Sequence, residues 1–480
     1  MTVILLTREE CESIHHNALR ILGEVGVCVE NDKILDVLAQ AGGEVDKENS
    51  RVRFPKKLLE DFLTTSSSEF DHIEGLEVSC LFPDGERKTR SGGIECCAGT
   101  YPQYFLTLNG EIIPHTQRTV ADMTRLADYL SNLDRLGCMG IPSDVPPLLS
   151  PLYMRFIAWK YAKKKLSNCG EIRDSRLIPY IVEMGEVMAE HRGVSSRRYV
   201  FGEVEMIAPL RFGRVEAEIF VSLWERGYLC GVGSMYSAGG SGPVTLAGTI
   251  SLMVAESLFI ALLYRYFYGI KKLHLQCNSS ILDMKEGMFP FGRPERALMT
   301  LAMGDMARFY NASLWAGSVY PDAKYPGLEA GLQASFGVIP ALLAGSLSLE
   351  SFGLLSGAEM GSPVQLVIDN EFAGALKRFI RGMEVSEDTL CFELIKDVGC
   401  GGTFMDTLHT LKNFRKEHWQ PEIFSRQSLN SWRSKGKRKE VDKSKEICRD
   451  VWENYHPRGF DEITERKLLQ VMEKAKLHLL

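Results

Sequence analysis

The residues of this chain best suited to chemistry are acidic and aromatic side chains that follow predicted strands. They are Glu203, Glu205, Tyr236, Gln276, Trp315, Tyr320, Asp322 and Glu350. Tyr325 lies further along the chain, and Tyr101 and Tyr104 of an N-terminal GTYPQYF segment are expected to cover the site. A quaternary ammonium ion has no N–H group to donate, so proteins hold it with aromatic faces and nearby carboxylates. Each desolvated cation–π contact contributes roughly 0.5–2 kcal/mol.

This set predicts a pocket for a small organic cation. The carboxylates of Glu203, Glu205, Asp322 and Glu350 would offset its charge, and the aromatic residues with Gln276 would contact it. The same side chains have an ordinary structural alternative: ion pairs at strand ends for the acids, and packing for the aromatic rings.

Several other catalytic arrangements are missing from the sequence. No G-x-S-x-G elbow, no Cys/His zinc spacing and no helical HxxE pattern occurs, so neither a hydrolase nucleophile nor a protein-bound metal is predicted. The glycine-rich run from Gly231 to Gly240 does not match G-x-G-x-x-G, and no Walker A motif is present. A dinucleotide or P-loop site is therefore disfavoured.

The elements that must position these residues are apolar runs alternating with helical patterns. The predicted strands are Leu136–Ile141, Leu166–Cys169, Arg198–Met206, Tyr228–Met235, Leu273–Cys277, Ser313–Ala316 and Ser346–Phe352. The predicted helices are Leu152–Lys164, Leu177–His191, Phe212–Arg226, Val244–Tyr268 and Arg293–Phe309, after a helix that Thr119 and Asp122 cap and that runs to Leu133. Alternation predicts a parallel sheet, and seven or eight repeats favour a closed (β/α)8 TIM barrel, whose site lies at the carboxyl ends of the strands. The eighth strand cannot be placed.

The predicted domains are an N-terminal α+β appendage at 1–118, a barrel core at 119–400 and a C-terminal helical extension at 401–480. In the appendage, Thr7 with Glu10 caps one helix, Asn31 begins another, and short strand-like pieces follow, broken by Gly75, Pro83–Gly85 and Gly92-Gly93. The basic stretch Arg433–Ser444 reads as an exposed linker or as a landing site for an acidic partner.

Composition excludes some function classes. The chain has 480 residues, 45% hydrophobic and 25% charged, with a net charge of −6, which argues against non-specific nucleic-acid binding. Its twelve cysteines are scattered and no basic, apolar leader is present at the N-terminus, so a cytoplasmic protein is expected. The apolar run Leu252–Leu263 contains Glu256 and is too short to span a bilayer.

One long string, Ser362–Arg426, contains more specific residues than packing requires. It combines a helix at Val364–Arg381, a capping pair at Ser386 and Thr389, and a turn crowded with Gly399, Gly401 and Gly402. The string resembles the C-terminal signature of the trimethylamine methyltransferase (MttB) superfamily. Further segments resemble that family in the same order: TREECESIHHNALRILGEVGVCVEN from Thr7, Gly242-Pro243 with GTISLMVAES, the Asp283–Glu295 run, and PDAK at Pro321–Lys324.

The resemblance implies a TIM barrel that transfers an N-methyl group from an amine to Co(I) of a separate corrinoid protein. The corrinoid (cobalamin) would come with that partner, and none would be bound by this chain. Because only standard residues occupy Trp315–Lys324, the resemblance is to the non-pyrrolysine branch, whose substrates are quaternary amines such as glycine betaine. A betaine carboxylate would need a partner such as Arg308, Lys324 or Gln276, whereas choline or tetramethylammonium would not.

Two departures from the family pattern concern the substrate. Tyr320-Pro321 stands where small polar residues are expected, and the loop after Tyr268 lacks an expected proline. An alternative function is a non-catalytic quaternary-amine-binding barrel protein, and a barrel lyase or hydrolase is a weaker one. Because barrels with such large appendages commonly self-associate, a homo-oligomer is expected.

Overall fold

The computed structural model describes residues 3–66, 93–99, 101–166 and 172–480. The strand-like pieces predicted between Gly75 and Gly92 lie outside these residues. The helices are α1 Arg8–Arg20, α2 Asp32–Gln40, α3 Lys56–Thr64, α4 Gln117–Tyr129, α5 Ser150–Tyr161, α6 Ile178–Arg192, α7 Arg214–Glu225, α8 Leu246–Tyr268, α9 Pro294–Phe309, α10 Leu328–Ala344, α11 Pro363–Arg381, α12 Glu387–Leu390, α13 Phe392–Val398, α14 Leu408–Glu417, α15 Leu429–Ser434, α16 Glu440–Asn454 and α17 Glu462–Leu479.

The strands are mostly short. They are β1 Val27–Val29, β2 Glu44–Asp46, β3 Arg51–Arg53, β4 Glu95–Ala98, β5 Tyr104–Leu106, β6 Ile112–Pro114, β7 Arg135–Leu136, β8 Lys165–Leu166, β9 Gly202–Met206, β10 Arg211–Phe212, β11 Cys230–Ser234, β12 Tyr236–Ala238, β13 His274–Gln276, β14 Ser279–Ile281, β15 Ser313–Trp315, β16 Ser348–Phe352, β17 Leu354–Leu355 and β18 Met360–Gly361.

Parallel pairing dominates the centre of the molecule. One sheet has the order β16-β4-β7-β8, all parallel, and β9–β11, β13–β15 and β12–β14 form separate parallel pairs. A parallel bridge between Ser318 and Glu350 connects the end of β15 to β16, and Gln276 Nε2 donates to the Val232 carbonyl across β13 and β11 at 2.8 Å. In the described ranges no ladder joins β8 to β9 or β11 to β13. The fold is thus mixed α/β with parallel strands, and a closed barrel stays a prediction.

The strand missing from the sequence prediction is β4. It lies within the predicted N-terminal appendage, yet it pairs in parallel with both β7 and β16. It therefore belongs to the same sheet as the predicted strands around Leu136 and Leu349.

Two sequence predictions of element boundaries are corrected. Helix α4 begins three residues earlier than expected, because Thr116 caps it by accepting from the Thr119 amide, and it ends at Tyr129 rather than Leu133. The basic stretch is exposed only over 433–439, where Arg433 and Ser434 end α15 and 435–439 form the linker, because Glu440 begins α16 and Ser444 is fully buried. The caps predicted for α1 at Thr7 and for α2 at Asn31 are confirmed.

Each central strand has two chemically different faces because successive side chains alternate across a strand. On β9, Val204 and Met206 are buried in the main core, and a Cβ on Gly202 would meet Leu223 of α7 at 2.5 Å. Glu203 and Glu205 lie on the opposite, partly exposed face. We call this second face of the parallel strands the inner face, and it carries five of the predicted site residues: Glu203, Glu205, Gln276, Trp315 and Glu350.

Helix α8 is a long, apolar element of the core. By length and composition it could cross a membrane, but 83% of its apolar window is buried inside the protein. Its one carboxylate, Glu256, accepts hydrogen bonds from the Leu210 amide, the Ser234 hydroxyl and the Tyr236 hydroxyl. The helix is therefore stabilised as a buried core element with a satisfied polar group.

Candidate functional site

An arginine surrounded by carboxylates lies on the inner face where β4, β7 and β16 meet. Arg135 is only 1% exposed; its Nε lies 3.1 Å from Glu95 Oε2, and it donates through Nη2 to the Ser348 hydroxyl at 2.9 Å. Its Nη2 also lies 3.8 Å from Glu350 Oε1. Burying a guanidinium is costly without such partners, so this cluster fixes the orientation of both glutamates.

Trp315 connects this cluster to the next strand pair. Its indole donates a hydrogen bond to Glu350, and Trp315 is the register partner of Gln276 in the β13–β15 pair. Burial raises the pKa of Glu350 above its usual range, while the Arg135 charge and the Trp315 hydrogen bond oppose that rise. The structure thus brings three predicted site residues, Gln276, Trp315 and Glu350, onto one continuous surface.

Glu205 joins the same surface through a glycine. Gly233 of β11 is the register partner of Glu205, and a Cβ placed there would lie 3.6 Å from Gln276 Oε1 and 3.7 Å from Glu205 Oε1. Glu205 and Gln276 therefore flank the space over Gly233. Asn278, two residues beyond Gln276, is 8% exposed, and its Oδ1 has no hydrogen-bond partner among the described residues.

Glu203 lies on β9 two residues before Glu205, in register with Gly231. Burial first, and then the charge of Glu203, raise the pKa of the neighbouring Cys230 thiol. On β13, burial and the Lys272 charge lower the pKa of His274 to about 3, so this histidine is neutral at pH 7, with its Nδ1 2.9 Å from the Ser313 hydroxyl.

The inner face as a whole carries an excess of negative charge. Its described charged residues include four glutamates, Glu95, Glu203, Glu205 and Glu350, against Arg135 and the exposed Lys165, which is the register partner of Arg135 on β8. With Trp315 beside Glu350, the arrangement suits an organic cation, and these residues include no nucleophile–base pair. Among the described residues no cluster of three His, Cys, Asp or Glu side chains is placed to hold a metal ion.

Two predicted site residues after β15 instead build the loop before α9. Asp322 accepts the Phe291 and Gly292 amides, both at 2.8 Å. The Tyr320 ring lies 4.7 Å from the Phe291 ring, and the buried Arg296 guanidinium lies 5.6 Å from the Tyr320 centroid. One aromatic face of Tyr320 is therefore engaged by a cation of the protein itself.

The remaining predicted residues are exposed or have contacts of other kinds. Tyr236 is buried and donates to Glu256 of α8 at 2.9 Å, on the helix side of the sheet. The Tyr101 amide donates to the Cys138 carbonyl at 2.8 Å, and Tyr104 and Tyr325 are exposed. Both candidate carboxylate partners outside the strands also have contacts elsewhere, Arg308 with Asp305 and Lys324 with Ser356.

Sequence reasoning missed Arg135 and Glu95. Arg135 begins an otherwise apolar run, and a charged residue entering a buried strand was the available signal. Glu95 lies in a four-residue strand bounded by glycines, which the turn pattern of the segment concealed.

Comparison with known proteins identifies the family of the whole chain. The family model described as trimethylamine methyltransferase (MTTB) matches residues 1–479. The chain belongs to the trimethylamine methyltransferase (MttB) family.

Relatives with assigned activities cover almost the whole chain. A glycine betaine methyltransferase of Desulfitobacterium hafniense (strain Y51) is 26% identical over 97% of this chain and 95% of its own length. A trimethylamine methyltransferase MttB of Desulfitobacterium hafniense (strain DSM 10664 / DCB-2) is 23% identical, over 98% and 93% respectively. The corresponding MttB of Methanosarcina barkeri (strain Fusaro / DSM 804) is 24% identical, over 98% and 95%. These relatives support an enzyme of methyl transfer.

Proposed function

We propose that this protein transfers an N-methyl group from a quaternary amine to Co(I) of a cognate corrinoid protein, acting in the cytoplasm. The observation that carries the proposal is the surface formed by Glu205, Gln276, Trp315 and Glu350. It combines carboxylates with an aromatic face, which is the chemistry that holds an ammonium ion lacking N–H groups. The glycine betaine methyltransferase among the relatives supports a quaternary donor, and the trimethylamine methyltransferases support an N-methylated amine as the broader class of donor.

The chain's own residues would act by binding and orientation. Glu203, Glu205 and Glu350 would offset the positive charge, and Trp315 would hold the methyl groups against its ring. Since a quaternary nitrogen leaves as a neutral amine, the reaction needs no strong general acid. Fixing the donor in line with its acceptor can lower the barrier by about 7–11 kcal/mol.

The acceptor would be brought by another protein. The reduced corrinoid supplies the nucleophile that accepts the methyl group. We expect this chain to orient the amine and to exclude water around it.

Barrel closure is part of the proposal. The eight barrel strands would be, in order, β4, β7, β8, β9, β11, β13, β15 and β16. The parallel β16–β4 pairing joins the last of them to the first. In such a barrel the inner face would be the interior, and the site would open at the carboxyl ends of the strands.

An anaerobic methylation assay tests the function. The protein is mixed with its cognate Co(I) corrinoid protein and a panel of amines, and the visible spectrum of the corrinoid is followed. We expect turnover with a quaternary amine and none with a primary amine. If no amine gives turnover while calorimetry detects quaternary-amine binding, the non-catalytic binding protein is favoured instead.

The panel also separates donor classes. Arg135, the buried cation of the inner face, is already paired with Glu95 and Glu350, and Lys165 beside it on β8 is exposed. We therefore expect choline or tetramethylammonium to be used at a lower KM than glycine betaine, whose carboxylate would face glutamates.

A further inference from the structure

A segment of the C-terminal half has no core of its own. We call residues 382–422 the arm; it contains α12, α13 and α14, and none of its side chains is buried. Isolated helices shorter than about 12 residues are marginal in water, and α13 and α14 have 7 and 10 residues. Contacts within a single copy of the chain therefore do not account for the stability of these helices.

The arm nevertheless carries large apolar side chains. Six of them have exposed fractions from 54% to 84%, which is far from the burial such residues usually reach: Met383, Val385, Phe392, Ile395, Leu408 and Leu411. A concentration of exposed apolar side chains of this kind is typical of a protein interface.

Both ends of the arm are nevertheless held in place. Arg378 of α11 donates to the Glu417 carbonyl at 2.8 Å and lies 3.5 Å from the Glu417 carboxylate, and Lys416 lies 3.7 Å from Glu384. These contacts fix the arm's two ends near the C-terminus of α11. The apolar side chains are thus presented on an anchored loop of helices.

The charges near the arm indicate which molecule covers its apolar side chains. Residues 384–397 of the arm carry five acidic side chains and one lysine, whereas the exposed residues 433–439 carry five basic side chains. Two copies of this chain can pair these oppositely charged segments reciprocally, as a two-fold interface requires.

We propose that the arm is an interface between two copies of this chain. The apolar side chains of α13 and α14 form its centre, and the acidic start of the arm lies against residues 433–439 of the second copy. This inference is independent of the proposed function, because it rests on burial and charge outside the inner face.

Molar mass in solution tests the proposal with a matched control. We expect the wild-type protein to have a light-scattering mass that is an even multiple of the 53.8 kDa chain mass. Leu411→Asp and Phe392→Asp should halve that mass. Leu477→Asp, a change at a comparably exposed leucine on α17, should leave it unchanged.

The opposite results overturn the proposal. A monomeric wild-type protein, or arm variants that keep the wild-type mass, would show that copies do not pair through the arm. If the wild-type protein is a monomer and the Phe392→Asp variant no longer binds the corrinoid protein, the surface would be assigned to that protein instead. Circular dichroism checks that each variant is folded, which is expected because the substituted side chains are exposed.

A charge exchange tests the pairing itself. Glu387→Lys with Asp388→Lys should weaken association, and so should Lys435→Glu with Lys437→Glu. Combining all four changes should restore the wild-type mass, because opposite charges again face each other. Failure of the combined variant to recover would remove the electrostatic part of the proposal.

Discussion

Glu205 and Glu350 are the carboxylates best placed to attract a cation, since they flank the Gln276–Trp315 pair from both sides. The contribution of each is separable because they lie on different strands, β9 and β16.

Replacing Glu205 by glutamine should raise the KM for a quaternary amine about tenfold, equivalent to about 1.4 kcal/mol, because one negative charge is lost at unchanged shape. The kcat should change far less. Steady-state kinetics with the corrinoid protein saturating would measure both constants. Glu186→Gln, on the exposed side of α6, is the matched control and should behave as wild type. An unchanged KM in Glu205→Gln would remove this carboxylate from the cation site.

Trp315 has two separable roles, a ring face and an indole donor. Trp315→Phe keeps an aromatic face but removes the hydrogen bond that lowers the pKa of Glu350. The pKa of Glu350 should therefore rise further, and the acidic limb of the pH profile of kcat/KM should move to higher pH. Trp315→Ala should in addition raise KM roughly 2- to 30-fold through the lost cation–π contact. If the phenylalanine variant keeps the wild-type pH profile, Glu350 does not titrate in the reaction.

At the scale of elements, Asp322 acts on the loop before α9. Asp322→Ala would leave the Phe291 and Gly292 amides without their acceptor, which should cost about 2 kcal/mol of unfolding free energy. Asp322→Asn keeps one acceptor oxygen and should lose less. Urea denaturation would rank the three proteins. A fully stable Asp322→Ala protein with impaired amine binding would instead support the direct role predicted from the sequence.

Helix α11 contains a carboxyl group with a strongly shifted pKa. Asp369 accepts from the Gly353 amide and from Gln365, but burial raises its pKa to about 7. The native state then holds a proton that the unfolded chain has lost, so this group makes stability fall as pH rises from about 4 to about 7, by at most about 1.4 kcal/mol per pH unit. Above about pH 7 its effect is constant.

Asp369→Asn removes that titration. As the pH rises from about 5 to about 7, the unfolding free energy of the variant should increase relative to that of the wild type. Urea melts across that pH range would measure both. A difference that stays constant with pH would mean that Asp369 is ionised throughout.

The sequence predicts elements well where local signals decide them. Side-chain caps at Thr7, Asn31 and Ser386 are local, and the structure has all three. Strand β4 escaped prediction because its partners, β7 and β16, lie far away in sequence, and pairing with them is what makes Glu95–Ala98 a strand.

The site residues show the same contrast between local signals and contacts that are distant in sequence. Residue types at strand ends identified Glu205, Gln276, Trp315 and Glu350, which lie together on the inner face. They could not show that the hydroxyl of Tyr236 contacts Glu256 of α8, or that Asp322 binds backbone amides, because both outcomes depend on which neighbour is nearest in three dimensions.

At the scale of the whole molecule, an arm covered by a second copy should resist protease. Trypsin sites within the arm include Lys396, Lys412 and Arg415. We expect Leu411→Asp to be cut there several times faster than wild type, since cleavage follows the exposed population of a segment. Gel electrophoresis with mass spectrometry would locate and time the cuts. Equal rates in the two proteins would argue that the arm is uncovered in both.

Gly233 has a further consequence. Its backbone does not adopt a positive φ, and the nearest atoms to a methyl group there lie at 3.6 Å, an ordinary van der Waals separation. Neither conformation nor crowding demands glycine at this position. A single added carbon would therefore narrow the space between Glu205 and Gln276 without rebuilding a strand or a loop. Substitutions at position 233 would therefore change the size of the donor that fits, in small steps, whether they arise by evolution or by mutagenesis.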